Sequence, residues 1–75
     1  MKVGDLVEPS NIALHIKWFR DKVMSSNRGK LLYGVILYKK HKKYKVAWFY
    51  KDGSYLYLEH FLYLNRYLKR LNIKS

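Results

Sequence analysis

Between Lys30 and Glu59 the chain carries two apolar runs joined by Lys39-Lys40-His41-Lys42-Lys43, followed by Asp52-Gly53 and a third run. This stretch constrains the fold more than any other. Leu31 to Tyr38 is short, rich in β-branched and aromatic residues, and bounded by Gly29 and the lysine cluster, which predicts a strand. Gly34 inside it predicts a bulge or bend that lets a small sheet coil tightly. From Tyr44 onward, the two-residue period of a strand puts Tyr44, Val46, Trp48 and Tyr50 on a core face and Lys45, Ala47, Phe49 and Lys51 on an outer face. Asp52-Gly53 is a turn dipeptide, because glycine reaches positive φ without steric cost and aspartate tolerates it. Beyond the turn, Leu56 and Leu58 point inward and alternate with Tyr55, Tyr57 and Glu59. The expectation is a three-strand meander with one cationic end.

The flanks are expected to pack onto that meander. Lys2 to Glu8 reads as a first strand that starts at the Gly4-Asp5 turn, with Val3 and Val7 on one face. Pro9 ends it, because proline has no amide to donate to a continuing ladder. In Ser10 to Met24, Ile12, Ile16, Phe19 and Val23 recur at helical spacing, Ser10 can act as N-cap, and Asn27 and Gly29 supply stop signals. Ile12, Leu14, Ile16 and Trp18 also alternate as a strand would. The helical reading leaves Lys17, Arg20 and His15 on a polar side, so a helix of about 14 residues is expected. His60 to Arg66 reads as a short turn or 3-10 segment. Tyr67 to Ile73 fits either a last strand closing against the first or a helical turn built on Leu64, Leu68 and Leu71.

Seventy-five residues predict one domain over 1–75, with a core too small to hold a deep catalytic cleft. Thirteen phenylalanine, tryptophan and tyrosine side chains offset the small size, since each can bury on the order of 150–250 Å². The absence of cysteine rules out disulfides and thiolate metal sites. No apolar signal core and no apolar run of roughly 20 residues is present, which predicts a soluble protein that stays where it is made. The formal charge is +11, and no aspartate or glutamate occurs between Lys22 and Lys51. A surface of one sign draws polyanions over roughly 8 Å at physiological salt. Nucleic acid is the commonest such partner, with anionic lipid headgroups and acidic protein surfaces as competitors.

Val3-Gly4-Asp5-Leu6-Val7, Gly34-Val35-Ile36-Leu37, Lys45-Val46-Ala47-Trp48 ahead of Asp52-Gly53, and Leu56-Tyr57-Leu58-Glu59 together resemble small SH3-like barrels of the KOW and Tudor-like type. The nearest resemblance is to the short barrel proteins encoded by tailed bacteriophages. It covers residues 2–8 and 31–73, with residues 10–28 departing from it as an insertion in the first long loop. The resemblance implies a mainly β fold, a five-stranded, strongly bent antiparallel barrel with a helical insertion. It also implies a non-enzymatic phage accessory protein that binds nucleic acid or protein, in the cytoplasm of the infected bacterial host or in the virion. A fold of this kind does not name its own function.

The residues suggest two surfaces. Lys39, Lys40, Lys42 and Lys43, with Lys45 and Lys51 beside Phe49, form a candidate phosphate-tracking ridge on which an aromatic ring can stack an unpaired base. Arg28 and Lys30 extend it, with Lys17 and Arg20 beyond them. The plainer reading is a solvated hairpin tip. Sequence-specific readout is not expected, because no recognition helix presents arginine, asparagine and glutamine at base-reaching spacing. Tyr33, Tyr38, Tyr55 and Tyr57 form a candidate aromatic strip for bases or for an acidic host or phage protein, against the plainer reading of core filling. Trp18 reads either as an anchor for such a partner or as a cap on the core. A cage for a methylated cation is disfavoured by the surrounding positive field. His15, His41 and His60 lack metal-ligand spacing, and no acid/base pair, nucleophile triad or glycine-rich phosphate loop is found, so neither catalysis nor a cofactor is expected. An open sheet edge could also pair with a second copy of the chain.

Overall fold

The computed structural model describes residues 1–24 and 29–71. Its strands are β1 (Leu6–Pro9), β2 (Leu31–Lys40), β3 (Lys43–Tyr50), β4 (Tyr55–Tyr57), β5 (Tyr63–Leu64) and β6 (Leu68–Arg70). Between β1 and β2 lie the short helices α1 (Asn11–Leu14) and α2 (Lys17–Phe19) and a π-helical turn over Arg20–Met24, and a 3-10 turn over Asn65–Tyr67 precedes β6. The strands form one antiparallel sheet in the order β4-β3-β2-β1-β6, with β5 beside β3, and the sheet does not close on itself. The expected meander is present as β2, β3 and β4, and the chain returns after the 3-10 turn to pair β6 with β1.

Six strands replace the expected five. β4 pairs only with Ala47 to Phe49, which leaves the start of β3 with an open edge. β5 takes up that edge through Lys43↔Leu64 and Tyr44↔Tyr63.

Gly34 does not bulge. It pairs in register with Val7 on one side and Trp48 on the other, and the irregularities fall instead between Leu31 and Tyr33 and between Ile36 and Tyr38. Glycine is required here for space. A Cβ at this position would lie 2.6 Å from a Val46 methyl carbon and 2.7 Å from the Trp48 six-membered ring. The indole therefore rests on bare backbone, fully buried, with Phe19 and Tyr63 packed edge-on to it at centroid distances of 5.8 and 5.6 Å. The Trp48 Nε1–H and the Tyr63 hydroxyl are buried without a hydrogen-bond partner. Burial pushes the Tyr63 hydroxyl up to about 12, and the nearby indole N–H offsets that only in part.

The inserted segment is part of the core. Ser10 caps α1 as expected, its hydroxyl oxygen accepting from the Ala13 amide at 3.3 Å while its O–H donates to the Arg66 carbonyl. The single 14-residue helix is not formed. Ile16 adopts an extended conformation between α1 and α2, which breaks the expected stripe: Ala13, Phe19 and Val23 are buried, whereas Ile12 is exposed. α1 is held against the 3-10 turn by the Ser10 amide donating to the Tyr67 carbonyl at 3.0 Å, with Ala13 fully buried. The Tyr50 hydroxyl donates to the Val23 carbonyl at 2.6 Å and ties the π-helical turn to β3. At the N-terminus the turn is centred on Val3-Gly4, one residue before the expected Gly4-Asp5, and is closed by the Asp5 amide donating to the Lys2 carbonyl at 3.0 Å. The strand begins at Leu6, so Val3 is exposed and does not share the buried face of Val7.

The β2–β3 connection is shorter than the lysine cluster suggests. Lys40 pairs with Lys43, and His41 and Lys42 alone form the turn with φ of 50° and 65°. Two left-handed residues in sequence make the turn that matches the right-handed twist of the flanking strands, although neither side chain favours that conformation.

Two outcomes test this description. Gly34→Ala should lower the unfolding free energy by about 1–3 kcal/mol, as overpacking against Trp48 requires, in chemical denaturation. The double change H41N/K42G should raise it by roughly 1 kcal/mol by relieving the turn, and thermal unfolding would record this as a higher midpoint.

Candidate nucleic-acid interface

The sheet register assigns each candidate lysine to a face. Paired residues share a side, so Lys40 and Lys43 lie on the outer face together with Tyr38 and Lys45, while Lys39 shares the other side with Tyr44. The Lys39 ammonium stands 5.7 Å from the centroid of the Tyr44 ring. Lys39, Lys40, Lys42 and Lys43 are all exposed, as is His41. The two positive-φ residues project the tip away from the sheet, so four ammonium groups crowd one end.

Lys45 requires a correction. It is expected on the outer, solvated face, yet it is 1% exposed. Its face is the expected one; its environment is not. The chain leaving β4 crosses over it, and the Lys45 Nζ donates to the carbonyl oxygens of Leu58, at 2.7 Å, and Glu59. The same ammonium lies 5.0 Å from the centroid of the Tyr57 ring. Burial holds the Lys45 ammonium below the usual lysine value, an effect that the nearby Glu59 carboxylate partly offsets. Lys45 therefore cannot reach a phosphate. It fastens β4 to β3 and steadies Tyr57. Ala47, also assigned to the solvated face, is buried as well.

Lys30 and Lys51 are exposed but sit at the opposite end of the β2–β3 ribbon, where the Lys51 amide donates to the Lys30 carbonyl at 2.8 Å. Eight residues of strand separate Lys43 from Lys51, roughly 25 Å at the usual rise. The expected single cationic face is therefore two lysine groups with an apolar surface between them. Arg28 lies outside the described residues. Arg66 joins the tip: with Lys42, Leu64 and Asn65 it lines a small hollow beside the hairpin. Nothing local to Arg66 marks it, since β5 and the 3-10 turn bring it there.

Four of the five carboxylates are engaged elsewhere, and the fifth, Asp21, is exposed on the π-helical turn. Glu8 faces Lys69 at 3.7 Å and Asp5 faces Arg70 at 4.0 Å, both on the β1–β6 side of the sheet. An Asp52 carboxylate oxygen accepts from the Ser54 amide and hydroxyl at 2.8 and 2.6 Å within its own turn. Glu59 acts on Lys45. Among the described residues no ion pair reaches Lys39, Lys40, Lys42 or Lys43.

The aromatic candidates divide between surface and core. Tyr33, Phe49 and Tyr55 occupy facing positions on β2, β3 and β4, and Tyr57 faces Ala47 one row along. Tyr55 and Tyr57 are exposed, Tyr33 and Phe49 half-buried. Trp18 is half-buried and packs edge-on against Phe61 at 4.6 Å and Phe19 at 5.8 Å, capping the core. Among the described residues no group of three or more histidine, aspartate or glutamate side chains could hold a metal ion. No helix of the described residues is long and apolar enough to cross a membrane. Compared with protein-family models, curated proteins and solved structures, the chain finds no match.

The Lys45 environment makes a prediction about pH. Below the lowered pKa, the folded state carries the full cost of a buried ammonium. As pH rises through it toward the free value of 10.5, the folded chain gives up its proton before the unfolded chain does, and that cost is relieved. The unfolding free energy of the native chain relative to Lys45→Met should therefore increase with pH across the alkaline range approaching 10.5. Denaturant titrations at several pH values measure the difference.

Proposed function

We propose that this chain is a non-enzymatic nucleic-acid-binding module that holds the phosphate backbone with the tip of the β2–β3 hairpin. The observation that carries this reading is the tip itself. Lys39, Lys40, Lys42 and Lys43 stand exposed on a two-residue turn with Arg66 beside them, while Asp5, Glu8, Asp52 and Glu59 interact elsewhere. Four to five exposed cations at one end of the ribbon supply the charge that a phosphate backbone requires. Release of condensed counterions then supplies most of the affinity. Lys45 has no part in it, and Lys30 and Lys51 act at a distance from the tip.

We also infer that the sheet is a small SH3-like barrel of the kind found among tailed-phage proteins. The tight meander, the 3-10 turn ahead of the last strand and the return of β6 to β1 support that reading. The insertion departs from it, because Phe19 and Val23 fill the core from outside the usual strands. On this reading the protein works in the infected host's cytoplasm, where nucleic acid is abundant.

Mobility-shift titrations on duplex DNA over a range of salt test the phosphate reading. With about five phosphates neutralised, log K should fall against log salt with a slope near −4 to −5. The double change K42Q/K43Q should make the slope shallower by roughly 2. Absence of binding to both single- and double-stranded polymers at low salt rejects the reading.

A further inference from the structure

The outer face of β2, β3 and β4 carries aromatic surface that the described part of the insertion does not line. The rings of Tyr33 and Phe49 are stacked, 5.3 Å apart and 28° from parallel, and Tyr55 continues the row 6.0 Å from Phe49. In the next row the small side chain of Ala47 opens a shallow groove of about 650 Å³, floored by Ala47 and Phe49 and flanked by Leu37, Tyr55, Leu56 and Tyr57. Tyr55 is 63% exposed and Tyr57 41%. Tyr57 is nevertheless fixed in place, because the Lys45 ammonium beneath it is tied to two backbone carbonyls. Lys40 and Lys43 stand on the same face at one end of this surface, and Lys51 stands at the other.

We propose that this face takes unpaired nucleobases, so that the ligand is single-stranded nucleic acid, its bases on Tyr55, Tyr57 and the Tyr33–Phe49 stack and its phosphates at the lysine ends. The inference rests on the phosphate reading above and narrows it. A duplex keeps its base faces sealed against one another and gains nothing from exposed rings, whereas a single strand offers them along with its phosphates. The distance between the lysine groups, roughly 25 Å along the strand, suits about four extended nucleotides, at the small end of single-strand sites on β folds. Charge complementarity selects the occupant. An apolar protein segment would fill the groove but meet lysines at both ends, while nucleic acid alternates flat π faces with anions. Tyr33 and Phe49 are already stacked on each other, so that part of the surface needs no rearrangement to meet a base.

Fluorescence anisotropy with labelled oligo-dT and a duplex of matched length tests the inference in the full chain. Oligo-dT should bind more tightly than the duplex. Tyr55→Ala and Tyr57→Ala should each weaken oligo-dT binding by roughly 5- to 150-fold, the measured range for one stacked base, and leave duplex affinity unchanged. Tyr55→Phe should retain both, and Lys42→Gln should weaken both alike. Equal affinity for the two probes, or tyrosine changes that weaken both or neither, would overturn the inference while duplex binding keeps the phosphate reading intact. Loss of all binding in the native chain overturns both. Tyr55-dependent capture of an acidic protein from nuclease-treated lysate, without preference for oligo-dT, would assign the face to a protein instead.

Discussion

The contact between the Trp48 indole and the bare backbone of Gly34 governs the inner side of this protein. Because no Cβ intervenes, the largest side chain in the core lies flat against β2, and β2 and β3 pair in register through this point. Phe19 and Tyr63 then close around the same ring from opposite parts of the chain. A chain of this size has little apolar volume to spare, so one tryptophan at the centre of an edge-to-face cluster contributes a large share of its stability. The cost is visible at Trp48 Nε1 and the Tyr63 hydroxyl, two buried polar groups that lie near each other but complete no well-formed hydrogen bond.

With the inner side filled this way, β3 serves two purposes. Tyr44, Val46, Trp48 and Tyr50 fill the core, and on the other face the segment that follows β4 crosses over Lys45. The Lys45 ammonium donates to two carbonyls and lies against a tyrosine ring, so its charge works as a structural tie. Two alternations further along, past the buried Ala47, Phe49 is half-buried and joins Tyr33 and Tyr55 in a row that reaches solvent. The same face is thus dry at Lys45 and wet at Phe49, and the exposed cations are displaced to the two ends of the ribbon. That separation of charge from aromatic surface is what a single strand, with phosphates and bases on different sides, can exploit.

Much of this was legible in the residues. Leu31 to Tyr50 announces two strands by composition and period. Asp52-Gly53 announces the turn, Ser10 the helix start, and Pro9 the end of the first strand, each through a local backbone rule. The broken helix was not legible, because Ile12, Leu14, Ile16 and Trp18 satisfy a strand period while Ile12, Ile16, Phe19 and Val23 satisfy a helical one. The outcome uses part of each, with Ile16 extended between two short helices. Gly34 was singled out, but the bulge it suggested does not form: bulge and close approach have the same sequence signal, and only the partner ring distinguishes them.

The chain alone determined which residues alternate, where it turns, and that a long stretch without acids would carry an uncompensated positive charge, because these depend on neighbours in sequence. Burial of Lys45, arrival of Arg66 at the hairpin, and division of the lysines between two ends were decided by tertiary structure. Each depends on a segment far along the chain, after β4 or β5, crossing a strand whose own pattern carries no record of what will cover it. A two-residue period tells which side a residue takes, and only packing tells whether that side meets water.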